Sequence, residues 1–127
     1  SKNHSWSRRK FVQLVDLRSQ NFISRERGSG TLDSFRYVMT RKRRSAEELI
    51  HVAMELGSTA AVKEALISGC GVSIMSRTSI RRELADGILV AVPIRGLKMA
   101  REFYEVCYKQ RPLSPISQAF RKFLRDG

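Results

Sequence analysis

The sequence has no apolar run near the roughly 20 residues that span a bilayer, and its opening, SKNHSWSRRK, carries no apolar segment behind its basic residues. Neither a membrane span nor a secretory leader is expected within these 127 residues. Cysteine is scarce. Cys70 and Cys107 cannot form a disulfide framework and fall in separate segments, so reduced thiols, buried and inert, are expected in a cytoplasmic protein. Histidine is equally sparse: His4 lies in the basic opening and His51 inside an apolar run, where a core histidine is the simpler reading than a catalytic base. The patterns GxSxG, GxxxxGK[ST] and GxGxxG are missing, as is any Cys/His/Asp/Glu spacing suited to a metal. Gly69-Cys70-Gly71 places a thiol in a turn, but no His or Lys stands beside it to activate it. The expectation is a non-enzyme with no cofactor and no metal.

Negative charge is the other shortage: 12 Asp+Glu face 24 Lys+Arg, for a net charge of +12. Of that excess, +9 lies in residues 1–46 and only +3 in residues 47–127. The densest clusters are Arg8-Arg9-Lys10 and Arg41-Lys42-Arg43-Arg44. No RNP-like aromatic pattern, finger spacing or evident helix-turn-helix accompanies them. Each cluster reads as a solvated surface capable of weak, salt-sensitive contact with phosphate.

Apolar residues make up 42% of the chain, enough for a packed core and for one domain over residues 1–127. From Leu49 to Pro93 short apolar runs alternate with segments of helical period. Leu49–Met54 and Ile88–Val92 are nearly continuous apolar runs and predict strands covered on both faces. Between them Val62, Ala65 and Leu66 recur at helical spacing after Gly57-Ser58-Thr59, whose hydroxyls suit a helix start. Val72-Ser73-Ile74-Met75 predicts a third strand, and Thr78 or Ser79 opens a helix with Ile80 and Leu84 inward, closed by Gly87. Upstream, Asn21–Glu26 predicts a strand, Gly28-Ser29-Gly30-Thr31 a turn, and Leu32, Phe35 and Met39 the inner face of a helix. Downstream, Phe103–Tyr108 predicts a strand and Ile94–Arg101 an exposed connection. Ser114 and Pro115 then start a helix with Ile116, Ala119, Phe120, Phe123 and Leu124 on one face. The fold class is α/β, an open, mostly parallel sheet flanked by helices.

In such sheets ligands gather beyond the carboxyl ends of the strands, where helix N-termini present unpaired N–H groups. Two turns fit that place: Ser29, Gly30 and Thr31 after one strand, and Gly57, Ser58 and Thr59 after the next. Each combines glycine with hydroxyl donors, a pattern suited to a small anion such as a carboxylate or sulfate, with Arg25 as a charged anion partner. Taken singly, each turn is explained as a helix cap. Two of them at equivalent places in adjacent units add weight to the ligand reading.

Five segments in order carry a family likeness: RERGSGT after a DL…FI entry, GST followed by AVKEAL, SGCGVSIMSR, ELADGILVAVPI, and the terminal LSPISQAFRKFL. Together they resemble the effector-binding domain of LysR-type transcriptional regulators over nearly the whole chain. The sequence departs from the family pattern at Ser5, where members often carry proline after the histidine. The resemblance implies one lobe of a type 2 periplasmic-binding-protein-like fold: the second lobe plus a terminal helix that returns toward the first. It further implies a metabolite in the cleft between lobes, a homo-oligomer, and DNA contacts made by a winged helix-turn-helix outside this chain. On that basis Ser29, Gly30, Thr31, Gly57, Ser58 and Thr59 are the lobe's effector-binding residues. A periplasmic-type anion- or solute-binding lobe of the same architecture is the alternative, since it would share both turns.

Overall fold

A computed structural model of the chain describes residues 1–100 and 104–126. Its organising element is β1 (Asn21–Arg25), in which Phe22, Ile23 and Ser24 are all buried. Three buried residues in succession require cover on both faces, because consecutive side chains of a strand point to opposite sides. β1 pairs in parallel with β2 (His51–Leu56), with Asn21 opposite His51 and Arg25 opposite Leu56. On the other flank Val72 donates its N–H to Asn21 and accepts from Ile23, at 2.9 and 2.8 Å.

Two apolar clusters hold the layers together. α1 (Gly30–Arg41) connects β1 to β2 and contributes Phe35 and Met39 to a cluster with Trp6, Val12, Leu17, Ala46 and Leu49. α2 (Thr59–Ile67) follows β2 and contributes Val62 and Leu66 to a second cluster with Ile23, Ile80 and Leu89. Residues of the extended segment after Gly71 divide between them: Val72 and Ile74 pack on the first cluster, Met75 on the second. The segment after Ile88 does the same, with Leu89 in the second cluster and Val92 and Ile94 against the first. A short 3-10 turn (Thr78–Ile80) leads into α3 (Arg81–Ala85), which is tied to α2 by the Lys63–Glu83 ion pair. α4 (Pro115–Asp126) begins at the expected place, with the Ser117 N–H donating to the Ser114 hydroxyl at 3.2 Å.

Several expectations change. Among the described residues VSIM pairs only through a bridge between Phe22 and Val72, because the Ser73 hydroxyl, 2.7 Å away, takes the Ile23 carbonyl where the next ladder bond would fall. Ile88–Val92 is not a regular strand; its neighbourhood pairs through Val12, which donates to Pro93 and accepts from Arg95. Residues 104–108 form no strand and are exposed, while Phe103 lies outside the described residues. The connection after Ile94 is not wholly exposed, since Leu97 and Met99 pack against the first cluster; Arg101 lies outside the described residues. β2 is not covered on both faces. Its strand starts two residues later than the apolar run, and Val52 and Met54 are 47% and 39% exposed. His51 is therefore an exposed residue and not a core histidine. Both thiols are exposed as well, contrary to the expectation of burial.

Gly71 sits where the chain passes closest to β1, and a Cβ there would collide with the Asn21 carbonyl. At Gly57 a Cβ would meet nothing within 4 Å. Gly71→Ala is expected to lower stability by about 2–4 kcal/mol in urea denaturation, in the range of strained or overpacked sites. Gly57→Ala is expected to stay within about 0.5 kcal/mol.

Candidate functional site

The parallel pairing of β1 with β2 decides the geometry of the site. Both strands run the same way, so the turns that follow them emerge at one end of the sheet, with the Glu26 N–H donating to the Leu56 carbonyl at 3.2 Å. In the first turn, Gly28 adopts a φ of +88°, a conformation glycine reaches without Cβ strain, and Ser29 occupies the N-cap of α1. The Ser29 side chain makes no capping bond. In the second turn Ser58 caps α2 in the ordinary way, its hydroxyl accepting from the Ala61 N–H at 3.0 Å. Ser58 and Gly57 are exposed, Gly30 is exposed, and Ser29, Thr31 and Thr59 are half-buried. Thus Gly57-Ser58-Thr59 performs the capping role, and it does so without consuming the Thr59 hydroxyl as the cap.

Arg25, the last residue of β1, joins the two units. One guanidinium nitrogen, Nη1, donates to the Thr59 hydroxyl at the start of α2. The other edge is engaged by Glu26, with Nε donating to Oε2 at 2.7 Å and Nη2 donating to Oε1. The structure thus brings Arg25 and Thr59 into direct contact; the Ser29–Thr31 turn follows Arg25 by a few residues at the same sheet end. Glu26 is the participant that sequence reasoning missed. Neighbouring residues in a strand face opposite ways, which hides such a pair. The available signal was the end of the strand itself: once regular extension stops at Arg25, an adjacent carboxylate is free to fold back.

The pair has a clear electrostatic consequence. The Arg25 hydrogen bonds, then the backbone N–H of Glu26 itself, draw the Glu26 carboxyl down to about 2. Arg25 in turn is held more firmly protonated by the same carboxylate. At neutral pH the site therefore contains a full positive charge that is already matched.

Other chemistry is limited. Cys107 donates to the Glu105 carboxylate at 3.1 Å, which pushes the thiol up and disfavours the nucleophilic thiolate. His4 shares a hydrogen bond of 3.1 Å with Gln20 and stands edge-on to Trp6, a structural arrangement. Among the described residues no group of three or more His, Cys, Asp or Glu could hold a metal ion. A cavity of about 310 Å³ lies between the two apolar clusters, with Trp6, Val12, Ile74, Leu89 and Val92 in its wall, and none of the expected site residues lines it. Arg41 to Arg44 are exposed at the far end of α1. At 1.5 Å per residue that end is about 18 Å from the turn, so these charges are not part of the site.

A parallel strand pair with helix N-termini and a guanidinium at its carboxyl end, and helices packed on separate apolar clusters, defines an open α/β fold with a candidate site at one sheet end. The family model of the LysR substrate binding domain matches residues 1–127, and the chain belongs to that family. It is 32% identical over 117 residues to the HTH-type transcriptional regulator CbbR of Rhodospirillum rubrum, covering 92% of this chain and 38% of that protein. It is 33% identical over 122 residues to a RuBisCO operon transcriptional regulator of Acidithiobacillus ferrooxidans, covering 96% and 38%. The chain thus spans 38% of the length of these two relatives. Among solved structures it resembles the Synechocystis PCC6803 CcmR regulatory domain in complex with 2-PG, at a TM-score of 0.75 and 25% identity over 98% of this chain and 58% of that one. The effector binding domain of QuiR in complex with shikimate superposes at a TM-score of 0.78 with 22% identity, covering 100% and 58%. The expected fold class is that of these domains, and the relatives are named as transcriptional regulators, in line with the expectation of a non-enzyme. Among the described residues no helix is long and apolar enough to cross a membrane.

A carboxylate whose folded value lies below the usual 4.5 adds stability that is complete above about 4.5 and disappears as the pH falls toward 2. Carboxyl NMR of Glu26 is expected to show a midpoint near 2, and Arg25→Gln is expected to return it toward 4.5.

Proposed function

We propose that the chain is the ligand-sensing lobe of a LysR-type, DNA-binding transcriptional regulator and that it binds a small anionic metabolite at the carboxyl end of β1 and β2. Arg25 supplies the charge. Ser29, Gly30 and Thr31 with Gly57, Ser58 and Thr59 supply hydroxyl and backbone N–H donors at two helix N-termini. The observation that carries this reading is the Arg25–Thr59 hydrogen bond, which joins a fixed cation to the second turn. The ligands named for the structural neighbours, 2-PG and shikimate, support a small-molecule effector and are the first probes to try. The regulators among the relatives favour a cytoplasmic sensor over a periplasmic-type solute-binding lobe.

In this reading residues 1–127 form the second lobe and a terminal helix. A first lobe closes the cleft from the other side, and α4 packs its apolar face there. Ile116, Phe120, Phe123 and Leu124 are 58–82% exposed in the chain alone, far more than a finished core helix leaves in water. DNA contacts lie in a separate domain, and the protein works as a homo-oligomer. Ligand bridging two lobes changes their relative angle, and it shifts that equilibrium only by its difference in affinity for the two arrangements.

A thermal-shift screen of acidic metabolites and inorganic oxyanions against the full-length protein tests the site. A true effector at 100 times its Kd adds about 2.7 kcal/mol of stability. Ser29→Ala and Thr59→Ala are each expected to reduce that response. If no anion shifts the transition and Thr59→Ala leaves regulation intact, the assignment is wrong. In gel shifts over a salt series, the 127-residue chain is expected to bind DNA weakly and to lose it by moderate salt. Tight, sequence-selective binding would move the DNA-reading function into this chain.

A further inference from the structure

The guanidinium at the proposed site is not waiting open. Arginine has five N–H donors in a planar fork, and either its Nη1/Nη2 end or the side formed by Nε and Nη2 takes a carboxylate or phosphate through two parallel bonds. In this chain Glu26 already fills that side with both of its oxygens, while Nη1 is directed to Thr59. Arg25 is only 25% exposed and Glu26 41%, so the cation is the more enclosed partner and the carboxylate has the freer route into solvent. Glu26 leads directly into the turn containing Gly28, and its carbonyl accepts the Ser29 N–H at 3.2 Å. Its position is therefore coupled to the first helix N-terminus, just as Thr59 couples Arg25 to the second.

Building on the anion-binding reading above, we propose that Glu26 is an internal competitor for Arg25: with Nη1 held by Thr59, an anionic effector gains two bonds on the Nε/Nη2 side only by displacing the Glu26 carboxylate. Two consequences follow from the chemistry. A ligand with one weak acceptor gains little, because it exchanges two charge-assisted bonds for one, whereas a carboxylate or phosphate replaces both. The displaced Glu26 also moves its charge away from the cation and alters the turn that starts α1, so occupancy of Arg25 is passed to the Ser29–Thr31 turn. The residue thus sets selectivity for anions that offer two acceptors and links the two halves of the site.

The test is an amide NMR titration of the 127-residue chain with inorganic sulfate, following Ser29 to Thr31 and Thr59 to Ala61. Glu26→Gln is expected to lower the half-saturating sulfate concentration at least about tenfold. Glu48→Gln, an exposed site with the same change in net charge, is expected to change it by less than about twofold. Glu26→Asp keeps the charge on a shorter arm and should fall between the parent and Glu26→Gln. Adding Arg25→Gln to Glu26→Gln should abolish the gain. If Arg25→Gln weakens sulfate binding but Glu26→Gln behaves like Glu48→Gln, the anion site stands and the competitor role is wrong. If Arg25→Gln leaves sulfate binding unchanged, the anion site itself is wrong and the competitor role falls with it.

Discussion

The structure depends first on β1 being held from both sides. Phe22, Ile23 and Ser24 leave almost nothing exposed, and the backbone is bonded to β2 on one flank and to Val72 on the other. A central strand with both neighbours parallel forces its helical connections to cross over the sheet, which is why α1 and α2 serve different apolar clusters. The same pairing aligns Arg25 with Leu56, the last residues of their strands. The meeting of Arg25 with Thr59 is therefore a result of strand register. A shift by one residue would turn Arg25 toward the opposite face and separate it from α2.

Electrostatics at the site act over much shorter distances than the net charge suggests. The chain carries +12, yet its exposed cluster at Arg41–Arg44 lies one helix length from the turns. That is about 18 Å, beyond the roughly 8 Å over which exposed charges act in physiological salt. Glu26, in direct contact, outweighs it locally. The front-loaded basic charge can attract polyanions to the surface in general, but it does not decide what occupies Arg25. Lys63 and Glu83 show the structural counterpart, an ion pair at 25% and 13% exposure that fixes α3 on α2. One Glu83 oxygen there is buried with no hydrogen-bond partner among the described residues, so removing Lys63 would leave a carboxylate with little to replace it.

What could be read from the residues, and what could not, divides along physical lines. Local signals were legible: Ser58 as a cap, Pro115 at the first position of α4, and Gly87 at the close of the turn after α3, with a φ of +65°. These depend on the backbone needs of a few neighbouring residues. The family segments also placed both turns, and the structure puts them at one end of the sheet. By contrast, the run from Leu49 to Met54 carries enough apolar residues for a strand buried on both faces, but among the described residues β2 pairs with β1 alone and nothing packs over Val52 and Met54 enough to bury them. Hydrophobicity states what a strand is suited to touch, and neighbouring elements determine what it does touch. VSIM failed as a regular strand for a finer reason, one hydroxyl reaching one carbonyl. Glu26 escaped notice because a residue next to Arg25 in sequence becomes its partner in space only where extension ends.

These features assign different tasks to polar and apolar surface. The apolar face of α4 and the Val52 and Met54 side chains of β2 are exposed, a state whose free energy falls when another surface covers them. The proposed site is in the opposite condition: its cation is paired, its second turn is capped, and its charge is neutralised by Glu26. Covering the apolar faces therefore does not depend on the charge pair at Arg25. In the proposed reading a ligand gains little from charge attraction alone, because the cation it seeks is already satisfied. It must replace existing bonds with better ones, and only the difference is available to any change the ligand drives. Under the proposed competition, the Arg25–Glu26 pair thereby limits the response to ligands whose geometry matches the carboxylate they displace.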